Sequence, residues 1–284
     1  MQLKTILNYV EPYKSFVYKK VRWSDPQTKT AIEILIEPRA NSRAICSGCD
    51  CKAPGYDRLQ PARRFEFVPL WQIAVYFVYA MRRVECPKCG VKVEKVPWCD
   101  GKNQLTTTYR WFLAGWAKRL SWKGVAETFG TTWQNVFRSV KHAVSWGLAH
   151  RGLSGIKAIG VDEVQWQKGH KYLTLVYQID AGCKRLLWIG QDRTAKTFLR
   201  FFRMLGKERS GQLEFICSDM WKAYLKVIAK KAPQAIHVLD RFHIMQKMSK
   251  AIDKVRAGEA RQMKADGYEE ILKHSRWCLS LIHI

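Results

Sequence analysis

The sequence predicts an α+β chain of several parts: a small cysteine-rich β domain, a helical middle segment and a C-terminal mixed α/β sheet. Three observations carry this. Two CxxC pairs flank strand-like runs in the first hundred residues, a glycine turn near residue 130 joins two amphipathic helical segments, and strands then helices alternate beyond residue 155. The expected divisions are an N-terminal segment (1–40), a cysteine-rich domain (41–100), a helical domain (101–152) and the sheet domain (153–284).

The chain has 284 residues, 47% of them hydrophobic, so a sizeable core can form. Its formal net charge is +25. Residues 1–155 hold 25 Lys/Arg against 11 Asp/Glu and the remainder 24 against 13, which excludes one basic tail on a neutral body. A field of that size and spread favours a polyanionic partner, with nucleic acid the usual one. The opening "MQLKTILNYVEPYKS" turns polar too early for a signal peptide. The longest apolar run, Val68 to Met81, contains Pro69 and Gln72 and is shorter than the ~20 residues a membrane helix needs. A soluble, cytoplasmic protein with no membrane partner is expected. Its nine cysteines would then be reduced, and pairs are weighed as metal ligands before disulfides.

Cys46 and Cys49 form one CxxC knuckle, and Cys86 and Cys89, followed by Gly90, form another. Each knuckle aims two thiolates at one point, and two supply the tetrahedral sulfur set that Zn²⁺ prefers. With four thiolates no coordination position stays open, so the expected role is structural. "RRFEFVP" and "WQIAVYFVYAMRRVEC" between the knuckles read as strands, bringing the pairs together as a hairpin. Cys51 and Cys99 are spare thiols able to replace a ligand. Arg63, Arg64, Arg82 and Arg83 border the cage as candidate phosphate contacts.

From Leu105 the spacing turns helical, with apolar residues at 109, 112, 113, 116, 117 and 120. Ala126, Gly130 and Val136 then carry helix-turn-helix spacing: a small residue where helices cross, a glycine for the tight turn, and an apolar residue that packs back. The second helix would expose Thr131, Thr132, Gln134, Asn135 and Arg138, groove-reading and phosphate-binding types. An ordinary helical hairpin is the plainer reading of the same spacing.

In the C-terminal half a strand covers 156–166, and "KYLTLVYQI" and "RLLWIG" follow as a hairpin. A helix "TAKTFLRFFRMLGKE", a strand "LEFICS", a helix "MWKAYLKVIAKK", a strand "AIHVLD" and a helix from Arg241 complete the run. That order is compatible with a ribonuclease H-like sheet, in which the first and fourth strands are neighbours. Asp162 sits mid-strand in "AIGVDEVQW", and Asp219 and Asp240 end the fourth and fifth strands. Neighbouring strands would let Asp162 and Asp219 face each other. Burying two anions side by side costs several kcal/mol, which a divalent cation removes. Two Mg²⁺ or Mn²⁺ ions ~4 Å apart would suit in-line phosphoryl displacement. Glu163, Asp240 and His243 are accessory candidates, Glu163 on the opposite face from Asp162 by strand alternation. Asp219 and Asp240 each precede a helix and would also serve as caps.

"GVDEVQWQKGHKYLTLVYQID", "SDMWKAY" and "VLDRFHIMQKMSKAIDKVR" resemble the bacterial insertion-sequence transposases of the ISL-three family over roughly residues 40–256. The resemblance implies a zinc-binding N-terminal domain with Cys46, Cys49, Cys86 and Cys89 as ligands, a helix-turn-helix, and a DDE-type catalytic domain. It places the first two catalytic acids on Asp162 and Asp219. It implies metal-dependent cutting and strand transfer on double-stranded DNA, at the element's terminal inverted repeats and a target, by a homo-oligomer associated with the bacterial nucleoid. The family's third acid, a Glu, comes after a helical insertion. Glu259, Glu269 and Glu270 fall where that insertion would begin, so none is assigned. The tail "WCLSLIHI" ends in apolar residues, as an interrupted reading frame would, and an incomplete catalytic domain is expected. A competing reading is a non-catalytic DNA-binding regulator built from the same zinc and helical modules. A metal-dependent nuclease would explain the acids but not the doubled CxxC.

Overall fold

The structure, a computed structural model, describes residues 2–269 and 271–275. The tail from Trp277 and Glu270 lie outside the described residues. The chain divides into two compact units that meet in sequence at Arg151 and Gly152.

The N-terminal unit opens with α1 (Leu3–Val10), β1 (Phe16–Trp23) and β2 (Ala31–Pro38). Short strands β3 (Ala44–Ile45), β4 (Lys52–Ala53) and β5 (Gly55–Arg58) precede β6 (Arg63–Leu70), β7 (Ile73–Tyr79), β8 (Arg82–Cys86) and β9 (Gly90–Val93). One sheet has the order β1-β2-β7-β6, with β2 and β7 parallel and the other pairs antiparallel. Strands from before residue 40 therefore share a sheet with strands between the two CxxC pairs. Alternation along β7 buries Val75, Phe77 and Tyr79. The Phe77 and Tyr79 rings border Trp98, which meets Phe16 at 4.9 Å and Tyr79 at 5.4 Å edge to face. Arrangements of that kind add about 0.5–1.5 kcal/mol each beyond the area they bury.

The run 71–86, expected as one strand, is two. It breaks at Ala80 and Met81, and β8 leaves for a second sheet, β5-β8-β9. The reason lies in the side chains: Val84 and Cys86 pack with Ala44, Cys46 and Ala53 in a small cluster separate from the Trp98 core. The apolar run Val68–Met81 is a strand-turn-strand, with the turn at Trp71 and Gln72, both at positive φ. Among the described residues no helix is long and apolar enough to cross a membrane.

Helices α2 (Thr107–Trp116), α3 (Trp122–Phe129) and α4 (Trp133–His150) follow. Each starts at a hydroxyl cap: Thr106, Ser121 and Thr132 accept from the backbone N–H three residues on. Gly130 closes α3 at φ 62°, ψ 31°, the left-handed region. Val125, Ala126 and Val136 pack on Tyr109 and Leu113. The expected spacing of small residue, glycine and returning apolar residue is present as drawn from the sequence.

In the C-terminal unit β10 (Ala158–Gln167), β11 (Lys171–Gln178) and β12 (Arg185–Gln191) are followed by α5 (Ala195–Leu205), α6 (Lys207–Gly211), β13 (Phe215–Ser218), α7 (Lys222–Lys231), β14 (Ile236–Leu239) and α8 (Arg241–Ala265). The helix expected over 194–208 is interrupted at Gly206, whose φ of 87° lies outside the helical range. The sheet order is β12-β11-β10-β13-β14. β10, β11 and β12 are antiparallel, and β13 and β14 run parallel to β10. Ile159, Val161, Val176, Leu187 and Ile216 pack against Phe198, Phe201, Leu205, Tyr224 and Ile228 from the helices. Each such side chain contributes about 1.5–3 kcal/mol by leaving water. This block anchors the strand ends where the acidic residues stand.

Gly130→Ala should lower the stability of the N-terminal unit by about 1 kcal/mol, because a Cβ is strained at that φ. Gly115→Ala, within α2 and with open space around its Cα, should raise it by about 0.5 kcal/mol. Urea unfolding of the full chain followed by tryptophan fluorescence reads both signs.

Candidate functional site

β10 and β13 bring the acidic residues of "GVDE" and "SDMW" to one edge. Their last paired residues are Gly160 and Cys217. Asp162 and Asp219 each stand two residues further along, at matching register positions. Ile159 and Val161 face the helices, and Glu163 follows on that face with its side chain 12% exposed. Asp162 points the other way, is exposed, and accepts the backbone N–H of Glu163 at 2.7 Å. Strand alternation thus separates Asp162 from Glu163 as expected.

Asp219 lies past the end of β13. Its Oδ1 accepts from the N–H of Trp221 at 3.0 Å, ordering the turn into α7. Its Oδ2 meets Arg193 Nη2 at 3.2 Å, and Arg193 Nε pairs with Glu163 at 2.5 Å. The carboxylate drawn toward Asp219 is therefore Glu163, through one guanidinium, rather than Asp162. The guanidinium also rests on the Trp221 ring, 4.8 Å from its centroid. Burial pushes the Glu163 carboxyl above its usual range, and Arg193 opposes that shift. Glu163 Oε1 is buried with no hydrogen-bond partner. The Thr174 hydroxyl donates to the Asp192 carbonyl at 2.8 Å and lies 2.9 Å from the Tyr224 hydroxyl, which also neighbours Glu163. Glu163 and Asp219 thus share a single arginine, while Asp162 stands exposed on the other face of β10.

Asp240 caps α8, accepting from Phe242 N–H at 2.8 Å, and His243 lies 3.8 Å from it one turn on. Both contacts are those of a helix start. Glu259 is exposed on α8, and Glu269 lies beyond that helix.

Cys46, Cys49, Cys86 and Cys89 come together with their sulfurs all within 4.8 Å of one another. An ion with Zn–S bonds of about 2.3 Å needs sulfurs about 3.8 Å apart, so the set fits one tetrahedral ion. Lys88 N–H draws the Cys86 thiol down to about 7, while the neighbouring Cys49 pushes Cys89 up to about 12. Four thiols this close cannot all ionise without a cation among them. Cys51 and Cys99 stand apart from the set. Cys51 accepts from Cys46 N–H through its carbonyl at 2.8 Å, and Cys99 is buried by Trp98 with its thiol on the Asn103 carbonyl at 2.9 Å. The four arginines bordering the cage all have protein partners: Arg63 holds the Asn103 carbonyl, Arg64 and Glu33 pair, Arg82 grips buried Glu94 and Arg83 pairs with Asp57.

On α4, Gln134 and Arg138 are exposed. Thr132 caps the helix, and Asn135 donates to the Thr131 hydroxyl at 3.1 Å, so these three also shape the turn. Arg193 is the residue that sequence reasoning missed. It lies just before the α5 cap Thr194, 26 residues from Asp219, with no spacing that marks it.

Residues 159–281 match the DDE-type ISL-three family, described as transposase. The chain is 27% identical over 270 residues to the transposase for insertion sequence element IS1001 of Bordetella parapertussis, across 94% of this chain and 65% of that protein. It is 28% identical over 221 residues to the transposase for insertion sequence element IS1557 of Mycobacterium tuberculosis (strain CDC 1551 / Oshkosh), across 77% and 49% respectively. It spans from about half to just under two thirds of the length of these curated relatives. The catalytic core domain of BIV integrase aligns with 45% of this chain and 82% of its own at 10% identity, with a TM-score of 0.24; the sheet is read from its strand order instead. Residues 159–281 are thus similar in sequence to the transposases of the ISL-three family.

Removing the shared cation exposes the repulsion it offsets. Arg193→Ala should cost about 1–2 kcal/mol in chelator-treated protein, discounted for its partial exposure. Adding Glu163→Gln should recover most of that loss, giving a favourable coupling in a double-mutant cycle read by denaturant unfolding.

Proposed function

We propose that the chain binds the ends of its own mobile DNA element and carries out metal-dependent strand cleavage and transfer there. The observation that supports this most is the parallel pairing of β10 and β13, which ends at Gly160 and Cys217 with Asp162 and Asp219 each two residues beyond, within the stretch that matches the transposase family. The sheet around them is ribonuclease H-like in this reading.

The donor set suits a divalent cation. Asp162 and Asp219 offer the hard carboxylate oxygens that Mg²⁺ or Mn²⁺ prefers, Asp162 exposed and Asp219 held by a single arginine. Asp162 and Asp219 would hold it. When bound, such ions activate the attacking oxygen and stabilise the leaving oxygen of an in-line phosphoryl displacement. Arg193 keeps Asp219 and Glu163 from repelling each other, and the Trp221 N–H fixes the rotamer of Asp219. No protein nucleophile is needed. The third acid of the family is not assigned to any residue of this chain.

Zinc is the proposed occupant of the cysteine cage, in a structural role. Thr131, Thr132, Gln134, Asn135 and Arg138 would meet the terminal repeats, with phosphate contacts making affinity salt-dependent. A homo-oligomer on DNA and a cytoplasmic, nucleoid-associated location follow from the same reading.

Assayed on end-containing DNA with Mg²⁺, the protein should lose cutting in Asp162→Asn and in Asp219→Asn and retain binding. Equal cutting by wild type and both variants would leave a DNA-binding protein without this chemistry. Elemental analysis of the purified chain should find about one zinc per molecule. Cys46→Ser with Cys49→Ser should release it and abolish the cooperative melting of the N-terminal unit.

A further inference from the structure

In the N-terminal unit a cavity of about 300 Å³ opens between α2, α4 and the loop before α2, lined by Lys102, Asn103, Gln104, Arg110, Asn135 and Arg138. Its wall carries three cations and three carboxamides and no carboxylate. Arg110 is the unusual member. Its residue is 9% exposed, yet its closest acid is Asp100 at 3.8 Å, a carboxylate that is itself 63% exposed. Among the described residues its guanidinium makes no hydrogen bond. Burial draws its pKa down, the direction expected of a cation left short of counter-charge. Its ion pair with the exposed Asp100 is long, so the guanidinium keeps donors to offer a second anion in the cavity.

Asn135 and Arg138 belong both to this wall and to the helix face read as DNA-facing. The cavity has room for a phosphate with its adjoining sugar, and the guanidinium fork suits phosphate oxygens. We propose that it holds one phosphate of the DNA backbone, gripped by Arg110 and Arg138 with Lys102 at the mouth, and sets the register of α4 on the duplex. This rests on the DNA-binding reading and adds to it a specific anchoring site, drawn partly from the loop before α2 and not from the recognition helix alone. A phosphate contact of this kind positions the protein and carries no sequence information.

The test is fluorescence anisotropy of the full chain with a labelled duplex across a salt series, for wild type, Lys102→Ala, Arg138→Ala and Arg110→Gln. Lys102 and Arg138 are exposed, so their variants should fold. Each should weaken binding several-fold and reduce the slope of log affinity against log salt by about one. Lys19→Ala, which removes an exposed cation paired with Glu37, should leave the slope unchanged. Arg110→Gln should weaken binding while leaving the melting temperature of the free chain equal or higher. A large fall in that melting temperature would make Arg110 a structural residue and overturn the proposal. Wild-type binding with unaltered slopes in Lys102→Ala and Arg138→Ala would overturn it while leaving DNA binding intact. Inorganic phosphate raising the melting temperature with unaltered DNA slopes would make this a small-anion site, again overturning it. No duplex binding by wild type even at low salt would remove the DNA reading and this site together.

Discussion

Repulsion between the carboxylates that β10 and β13 bring to one edge is the constraint on which the C-terminal unit turns. β10 and β13 deliver Asp162 and Asp219 to the same edge because they pair in parallel register. Glu163 adds a third charge on the helix-covered face. Such a cluster in partly buried surroundings costs several kcal/mol unless cations answer it. Arg193 answers part of it, and the turn that carries Asp219 also presents Trp221 as the surface on which the guanidinium lies. The core of Ile159, Ile216, Phe198 and Tyr224 beneath keeps these strand ends in place. The remaining charge excess gives the edge its chemistry.

The N-terminal unit meets a different constraint. Its Trp98-centred aromatic core is extensive, whereas the group of Ala44, Cys46, Ala53, Val84 and Cys86 is small. Four thiols complete that second group. Their unequal proton affinities, Cys86 drawn down and Cys89 pushed up, show how closely the sulfurs crowd. A metal ion turns that crowding into cross-linking of two knuckles that are distant in sequence.

Local chemistry was the legible part of the sequence. The CxxC pairs declare their meeting because each turn is fixed by its own spacing, and Gly130 declares the helical turn because few other residues tolerate its φ. The order of strands and helices after residue 155 was readable from periodicity, and with it the neighbouring of β10 and β13. Long-range choices were not readable. Nothing in residues 16–38 states that β2 will lie parallel to β7. Alternation runs through residues 71–86 with no glycine or proline to mark the crossing from one sheet to another. Arg193 was invisible because its partners are fixed by the folded turn before α5 and not by spacing. Lys102 and Arg110 look like scattered surface charge until α2 and α4 enclose them with Arg138.

If Asp162 and Asp219 share a divalent cation, Mn²⁺ binding followed by electron paramagnetic resonance reads it without requiring DNA cleavage. Wild type should bind Mn²⁺ competitively with Mg²⁺, and Asp162→Asn and Asp219→Asn should each weaken that binding by about tenfold or more. Undiminished Mn²⁺ binding in both variants, with the fold intact, would contradict the shared metal centre.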